Sequence, residues 1–303
     1  TEQDLADLRL YSDPEGTALR AKLAGLYGVE AAQVFLSNGS DDILNFAFMA
    51  FGADGAVFPA LTYSFYPVFA SLHGVAYETV PLREDFTLDV AGMQGKGKLT
   101  VFPNPNAPTG IALPLDQVEA IVAANPDHVV VVDEAYVDFG ADSAVPLLQR
   151  YENLLVVMTY SKSRSMAGAR LGYAIGDAAL IQDLEKLKYS TNPYNVNRLT
   201  LKLGQAAVDS DGYFREKARE IMATREKTAQ ALRALGFTLP DSQANFLFVT
   251  HPKVAGETLY RKCKEKGVLI RHFSDPAIAA YNRVTIGTPA EMEAFLAVVQ
   301  TIL

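Results

Sequence analysis

Residues 154–173 read Leu154-Leu155-Val156-Val157-Met158-Thr159-Tyr160-Ser161-Lys162-Ser163-Arg164-Ser165-Met166-Ala167-Gly168-Ala169-Arg170-Leu171-Gly172-Tyr173. The first five are an uninterrupted apolar run with two β-branched residues, the pattern of a short strand covered on both faces. Straight after it come hydroxyls, a lysine, a small-residue turn at 167–169 and Arg170. An amine at the end of a buried strand is poorly solvated and serves as a nucleophile towards carbonyls. Ser161, Ser163 and Arg170 beside it are suited to hold a phosphate. Taken alone, Lys162 also reads as an ordinary solvated lysine in a polar loop. The choice rests on what the rest of the chain brings to it.

Working outward, 154–158 is one of a series. Apolar runs at 56–58, 99–102, 129–132 and 171–175 read as strands, and amphipathic stretches at 41–51, 66–72, 115–124 and 178–189 read as helices. Strands and helices in alternation imply an α/β layered domain with a mainly parallel sheet. Ligands of such sheets gather at the carboxyl ends of the strands. Beyond about residue 203 the pattern changes. A charged, periodic helix at 213–235 leads to a strand at 244–249, a helix at 256–266, strands at 268–270 and 283–286, and a closing helix from 290. That tail reads as a smaller α+β lobe.

Composition narrows the function class. The chain has 303 residues, of which 49% are hydrophobic, enough for a large core and two lobes. A net charge of -8 argues against nucleic acid as a partner. No apolar run approaches the roughly 20 residues that cross a bilayer. The single cysteine, Cys263, excludes an internal disulfide framework, and with no signal peptide in view a reduced, cytoplasmic setting is expected. The four histidines lack the spacing of metal ligands, so no metal is expected.

Several strand ends carry polar residues that need partners. The valine run 129–132 ends in Asp133-Glu134-Ala135-Tyr136. A carboxylate at the end of a buried strand is costly unless paired, although an acid capping the next turn is the plainer alternative. Asn38-Gly39-Ser40-Asp41-Asp42 precedes a helix and offers either free backbone N–H groups to an anion or an ordinary N-cap. Tyr63 follows the strand end at Phe58-Pro59, where a ring could stack on a flat ligand or join the core. Pro103-Asn104-Pro105-Asn106-Ala107-Pro108-Thr109-Gly110 is a rigid turn after another strand end, with Asn106 an amide donor. Arg271 and Arg283 lie at short apolar strands, and their fork geometry fits carboxylate or phosphate. A lysine, a counter-charge, a stackable ring and an anion site together are what pyridoxal phosphate requires.

On these residues the chain resembles the fold-type I pyridoxal-phosphate aminotransferases and, within them, the histidinol-phosphate aminotransferases. The likeness runs from Tyr11-Ser12-Asp13-Pro14-Glu15-Gly16 through 38–41, Tyr63, 107–110, 133–136, 161–162 and Arg170 to Arg283-Val284-Thr285-Ile286-Gly287-Thr288 and the last helix. The resemblance implies a large domain over 11–205 with a mainly parallel seven-stranded sheet, and a small domain over 206–303 starting with the interdomain helix. It implies that 1–10 is the remnant of an N-terminal arm. It further implies that Lys162 forms the internal aldimine and shuttles the proton at the substrate α-carbon. Asp133 would pair with the pyridine nitrogen and Tyr136 with the phenolic oxygen. Ser161, Arg170 and the backbone at Ser40 and Asp41 would hold the phosphate, joined by Tyr11 from the neighbouring subunit of a homodimer. Tyr63 would stack on the ring. Arg283 would bind the α-carboxylate of glutamate and the phosphate of the second substrate, histidinol phosphate, with Arg271 assisting. Glutamate, leaving as 2-oxoglutarate, and imidazole-acetol phosphate would exchange the amino group by a ping-pong mechanism. An aromatic or other aminotransferase of this subgroup, and a threonine-phosphate decarboxylase, share the scaffold, and a non-catalytic binding protein is the alternative of another class. The family's asparagine before Pro-Thr-Gly is Ala107 here, so Asn106 or Asn104 is expected to supply the amide to the ring oxygen, and Asn106 to reach the substrate.

Overall fold

The computed structural model describes residues 2–303. Seven strands form one sheet: β1 (Val34–Ser37), β2 (Ala56–Pro59), β3 (Tyr77–Val80), β4 (Leu99–Pro103), β5 (Val130–Asp133), β6 (Leu154–Thr159) and β7 (Gly172–Gly176). Their spatial order is β1-β7-β6-β5-β4-β2-β3, and β7 alone runs against its neighbours β1 and β6. The reason lies in the connection. Parallel neighbours need a crossover, whereas β6 and β7 are joined by the Lys162 loop alone and so pair antiparallel. The expected mainly parallel α/β architecture is present.

After a short exposed helix α1 (Glu2–Ala6), helices cover both faces: α2 (Thr17–Tyr27), α3 (Ser40–Phe51), α4 (Tyr66–Leu72), α5 (Leu115–Ala123), α6 (Ala178–Thr191) and α7 (Arg198–Asp209). The pleat explains why the apolar runs do not alternate with polar residues. Val130, Val132, Leu154 and Val156 enter one core with Leu19, Leu23 and Ile121. Val131, Leu155 and Val157 enter the opposite one with Ile43, Phe48 and Leu184. Successive side chains point to opposite faces, and both faces are covered. Each fully buried valine contributes roughly 1.5–3 kcal/mol of transfer free energy.

The rest of the chain begins with α8 (Asp211–Ala234), followed by β8 (Phe246–Val249), α9 (Gly256–Glu265), β9 (Arg271–His272), β10 (Asn282–Thr285) and α10 (Pro289–Gln300). The three strands form an antiparallel sheet, β8-β10-β9, over a core of its own that includes Leu232, Leu247, Leu259, Val284 and Phe295. Arg225 of α8 is buried and donates to the carbonyls of Phe139 (2.8 Å) and Ala244 (2.9 Å), tying the helix to both sides.

One expected element is placed differently. The strand expected at 268–270 is confined to Arg271–His272, because the Val268 N–H is already bonded to the Cys263 carbonyl (2.9 Å) at the end of α9. Residues 205 and 206, between which the division is expected, lie within α7, and the long helix α8 begins at Asp211. Strands β1 and β3 and helices α2 and α7 were not among the expected elements. Of the expected arm remnant 1–10, position 1 lies outside the described residues, and the remainder forms α1 and a 3₁₀ turn at Asp7–Arg9.

Candidate active site

The carboxyl ends of β2, β4, β5 and β6 share one edge of the sheet, and a cavity of about 150 Å³ opens there. Lys162, Asp133, Tyr136, Tyr63, Ser161 and Arg170 line it, as do Ser40 and Asp41 at the start of α3. Eight residues drawn from four separate stretches of sequence thus meet in one place. The crevice of about 420 Å³ between the 3₁₀ turn Val137–Phe139 and α8 contains neither Lys162 nor Asp133. Ser163 belongs to that crevice, with its hydroxyl bonded to Asp138, so it turns away from the anion end of the smaller cavity.

Asp133 is the last residue of β5 and only 5% exposed. Its Oδ1 accepts the Ala135 N–H (3.2 Å) and its Oδ2 the Tyr66 hydroxyl (2.9 Å). Burial pushes its carboxyl up to about 6, against the two hydrogen bonds, which favour the ionised form. Both donors are neutral, and no cation among the described residues forms an ion pair with it. A buried carboxylate in that situation calls for a cationic N–H partner. At the opposite end, Arg170 stands at φ 52°, and its guanidinium lies so close to Gly39 that a Cβ there would meet Nη2 at 2.5 Å. Gly172 is equally restricted, because its Cβ would approach the Ser40 nitrogen to 2.5 Å. Two glycines therefore let an arginine and a helix N-terminus converge, which makes an anion site. Asp41 accepts from Tyr63 Oη (2.8 Å) and from Arg170 (3.4 Å) and holds both in place. A flat ring carrying a phosphate at one end and a protonated nitrogen at the other fits this donor set, and Lys162 lines the same cavity.

Lys162 Nζ lies 5.3 Å from the centre of the Tyr136 ring. Tyr136 meets Phe246 edge-on at 5.1 Å, and the Arg283 guanidinium also packs against the Phe246 ring, 4.9 Å from its centre. Arg283 Nε is buried and has no hydrogen-bond partner. Its cross-strand neighbour in β9 is Arg271, which is exposed and lies over Phe273. Neither arginine has an acidic partner among the described residues. Like charges directly opposite on two strands repel unless an anion lies between them.

Neither Asn106 nor its alternate Asn104 lines the cavity, and Tyr11, expected to serve the neighbouring subunit, does not line that of its own chain. The Asn106 amide donates to the Leu61 carbonyl (3.2 Å) and Thr109 Oγ1 (3.1 Å), and Asn104 exchanges two bonds with the Leu113 backbone. These bonds occupy both amide nitrogens, Asn106 Oδ1 is left buried without a partner, and Ala107 faces the cavity instead. Tyr11 is 78% exposed and stacks on Tyr194 at 4.5 Å, away from its own chain's Lys162. Sequence reasoning missed Tyr66, Thr159 and Phe246. Thr159 Oγ1 accepts the Ser161 N–H (3.1 Å) and bonds the Ser161 hydroxyl (3.0 Å), which shapes the turn into Lys162. Its place at the end of an apolar strand was the available signal.

The family model for aminotransferases of class I and II matches residues 2–299. The chain belongs to this family. It is a pyridoxal-phosphate-dependent transferase. This aminotransferase is 46% identical to the histidinol-phosphate aminotransferase of Brachyspira hyodysenteriae over 305 residues, covering 100% of this chain and 86% of that one. It is 49% identical to histidinol-phosphate aminotransferase 1 of Bordetella parapertussis over 300 residues, covering 97% and 84%. Among solved structures, the histidinol-phosphate aminotransferase of Sinorhizobium meliloti in complex with pyridoxal-5'-phosphate superposes with a TM-score of 0.89 at 24% identity, covering 100% of this chain and 86% of that one. The L-threonine-O-3-phosphate decarboxylase of Porphyromonas gingivalis superposes with a TM-score of 0.86 at 22% identity, covering 99% and 92%, so the fold alone does not choose between these reactions.

Beside the cavity, Glu134 is 2% exposed, and burial pushes its carboxyl up to about 8. Ala144 N–H and Ser143 Oγ donate to it at 2.6 Å and oppose that shift. A carboxyl that ionises at higher pH when folded disfavours folding as pH rises, because the unfolded chain ionises first. Glu134→Gln keeps the shape and removes the titration. The melting temperature of the variant is therefore expected to gain on the wild type as pH rises from about 4.5 to about 8, and to hold level beyond. A difference that stays constant across that range would reject a protonated Glu134.

Proposed function

We propose that the chain transfers the amino group between histidinol phosphate and 2-oxoglutarate, one substrate after the other at the same site. The observation that carries this reading is the orphaned Arg283 Nε one ring away from Tyr136 and Lys162, with Arg271 beside it. Two arginines without acidic partners suit a dianionic phosphate in one half-reaction and a carboxylate in the other. The histidinol-phosphate aminotransferases named above carry this activity in their names.

In this reading each side chain has one task. Bound pyridoxal phosphate supplies an electron sink for the charge left at the substrate α-carbon. Lys162 Nζ holds the cofactor and then carries the proton between the α-carbon and the cofactor. Asp133 receives the ring nitrogen, and Tyr136 donates to the phenolic oxygen. Ser161, Arg170 and the N–H groups at Ser40 and Asp41 hold the phosphate, and Tyr63 covers the ring face. Ala107 offers no amide on the phenolic side, so Tyr136 carries that contact. We assign the segment to about Ser210 to the cofactor-binding domain and α8 onward to the domain that brings the arginines. We further place the enzyme in the cytoplasm as a homodimer in which Tyr11 serves the partner's site; the exposed Leu5, Leu8, Leu10 and Tyr11 form an apolar arm suited to that contact. No helix among the described residues is long and apolar enough to cross a membrane.

Single-turnover amino transfer tests the substrate. Histidinol phosphate is expected to convert the cofactor to its amine form at least ~100-fold more efficiently than phenylalanine, the scale of one desolvated charge pair. Equal efficiency would move the assignment to an aromatic aminotransferase. Release of carbon dioxide from threonine phosphate would identify the decarboxylase instead.

A further inference from the structure

We propose that Tyr66 is a positioning residue for this reaction, its buried hydroxyl holding the Asp133 carboxylate in the orientation that receives the cofactor's ring nitrogen. The inference rests on the reading that Asp133 meets that nitrogen. Tyr66 opens α4, followed by Pro67, and has no exposed surface. Its ring is packed against Phe48, Phe58 and Tyr63, with centres 6.5, 5.8 and 5.7 Å away. Such a ring cannot follow a carboxylate that swings, so its hydroxyl marks a fixed point. From there it donates to Asp133 Oδ2 at 2.9 Å, while the Ala135 N–H takes Oδ1 at 3.2 Å.

Both oxygens are thus held by neutral donors, and an ionised carboxyl still has lone pairs to offer a third. The hydrogen bond from Tyr66 also favours the ionised carboxylate against the burial that opposes it. Tyr63, three residues earlier, touches the cavity directly and leans on Tyr66 edge-on. The Tyr63–Tyr66 pair therefore serves the ring from two sides, one covering its face and the other fixing its counter-charge.

Tyr66→Phe keeps the packing and deletes the donor. With the full chain freed of cofactor, pyridoxal phosphate binding is measured by equilibrium dialysis across pH, for the wild type, Tyr66→Phe, Asp133→Asn and the double variant. Tyr66→Phe is expected to weaken binding by roughly 10-fold, the scale of one hydrogen bond to a charged group. It is also expected to move the midpoint at which binding is lost on acidification to higher pH. In the Asp133→Asn background the same change should have no effect, because the group through which Tyr66 acts has gone. Unchanged affinity and midpoint in Tyr66→Phe, or an equal loss in both backgrounds, would overturn the proposal. If Asp133→Asn itself binds as the wild type does, the Asp133 reading fails; if Asp133→Asn is weak and Tyr66→Phe is neutral, only the role of Tyr66 fails.

Discussion

Replacement of Lys162 by alanine is expected to lower turnover by roughly 10⁴-fold or more, about 5.5 kcal/mol of barrier. The size follows from the double task of one amine. In the proposed reading its Nζ is the nucleophile that holds the cofactor and also the base that moves the α-proton. The neighbouring side chains offer no second base. Tyr136 faces Lys162 with its ring, and Asp133 is held by Tyr66 and Ala135. Borohydride treatment followed by intact mass provides a check independent of turnover. The wild type gains one cofactor mass fixed to the chain, and Lys162→Ala does not. Noncovalent retention should persist, because Asp133 and the Arg170 end of the cavity are untouched. A Lys162→Ala enzyme with full amino transfer would refute the assignment.

Arg283→Ala is expected to lower kcat/KM for both substrates by roughly 100- to 1000-fold, about 3–4 kcal/mol, with cofactor affinity unchanged. The guanidinium packs on Phe246 and does not line the cavity that would hold the cofactor, which is why the two effects separate. Its Nε is a buried donor without a partner, a costly state that a bound carboxylate or phosphate relieves. Arg283→Lys should recover little, because an ammonium lacks the planar fork. Steady-state kinetics with each substrate, run beside cofactor dialysis, read both quantities. Loss of cofactor in place of substrate affinity would reassign Arg283 to the cofactor.

Much of the cofactor end was legible in the chain because strand ends are legible. Valine and leucine runs with polar terminators locate where 129–132 and 154–158 stop, and a mainly parallel sheet brings those ends to one edge. Asp133, Tyr136, Ser161 and Lys162 were found in that way and do line one cavity. Asn106 shows the limit. Its residue type suggested a ligand contact, but a turn rich in proline lacks backbone N–H donors and drew the amide inward, onto Leu61 and Thr109. Tyr66 shows the converse. In sequence it is one more aromatic at a helix start, and its partner lies 67 residues away.

By itself the sequence determined the alternation of strands and helices, the places where polar chemistry interrupts apolar runs, and the residue types available there, because these depend on local periodicity and on the cost of burying a charge. The tertiary structure decided the strand order with its one reversed member, β7, and which strand ends became neighbours. It also decided which way each side chain turned at those ends. It brought Arg283 to within one aromatic ring of Tyr136, turned Asn106 and Ser163 away, and set Tyr66 beneath Asp133. Those outcomes depend on packing between segments far apart in the chain, and no local pattern encodes a partner that folding has yet to bring near.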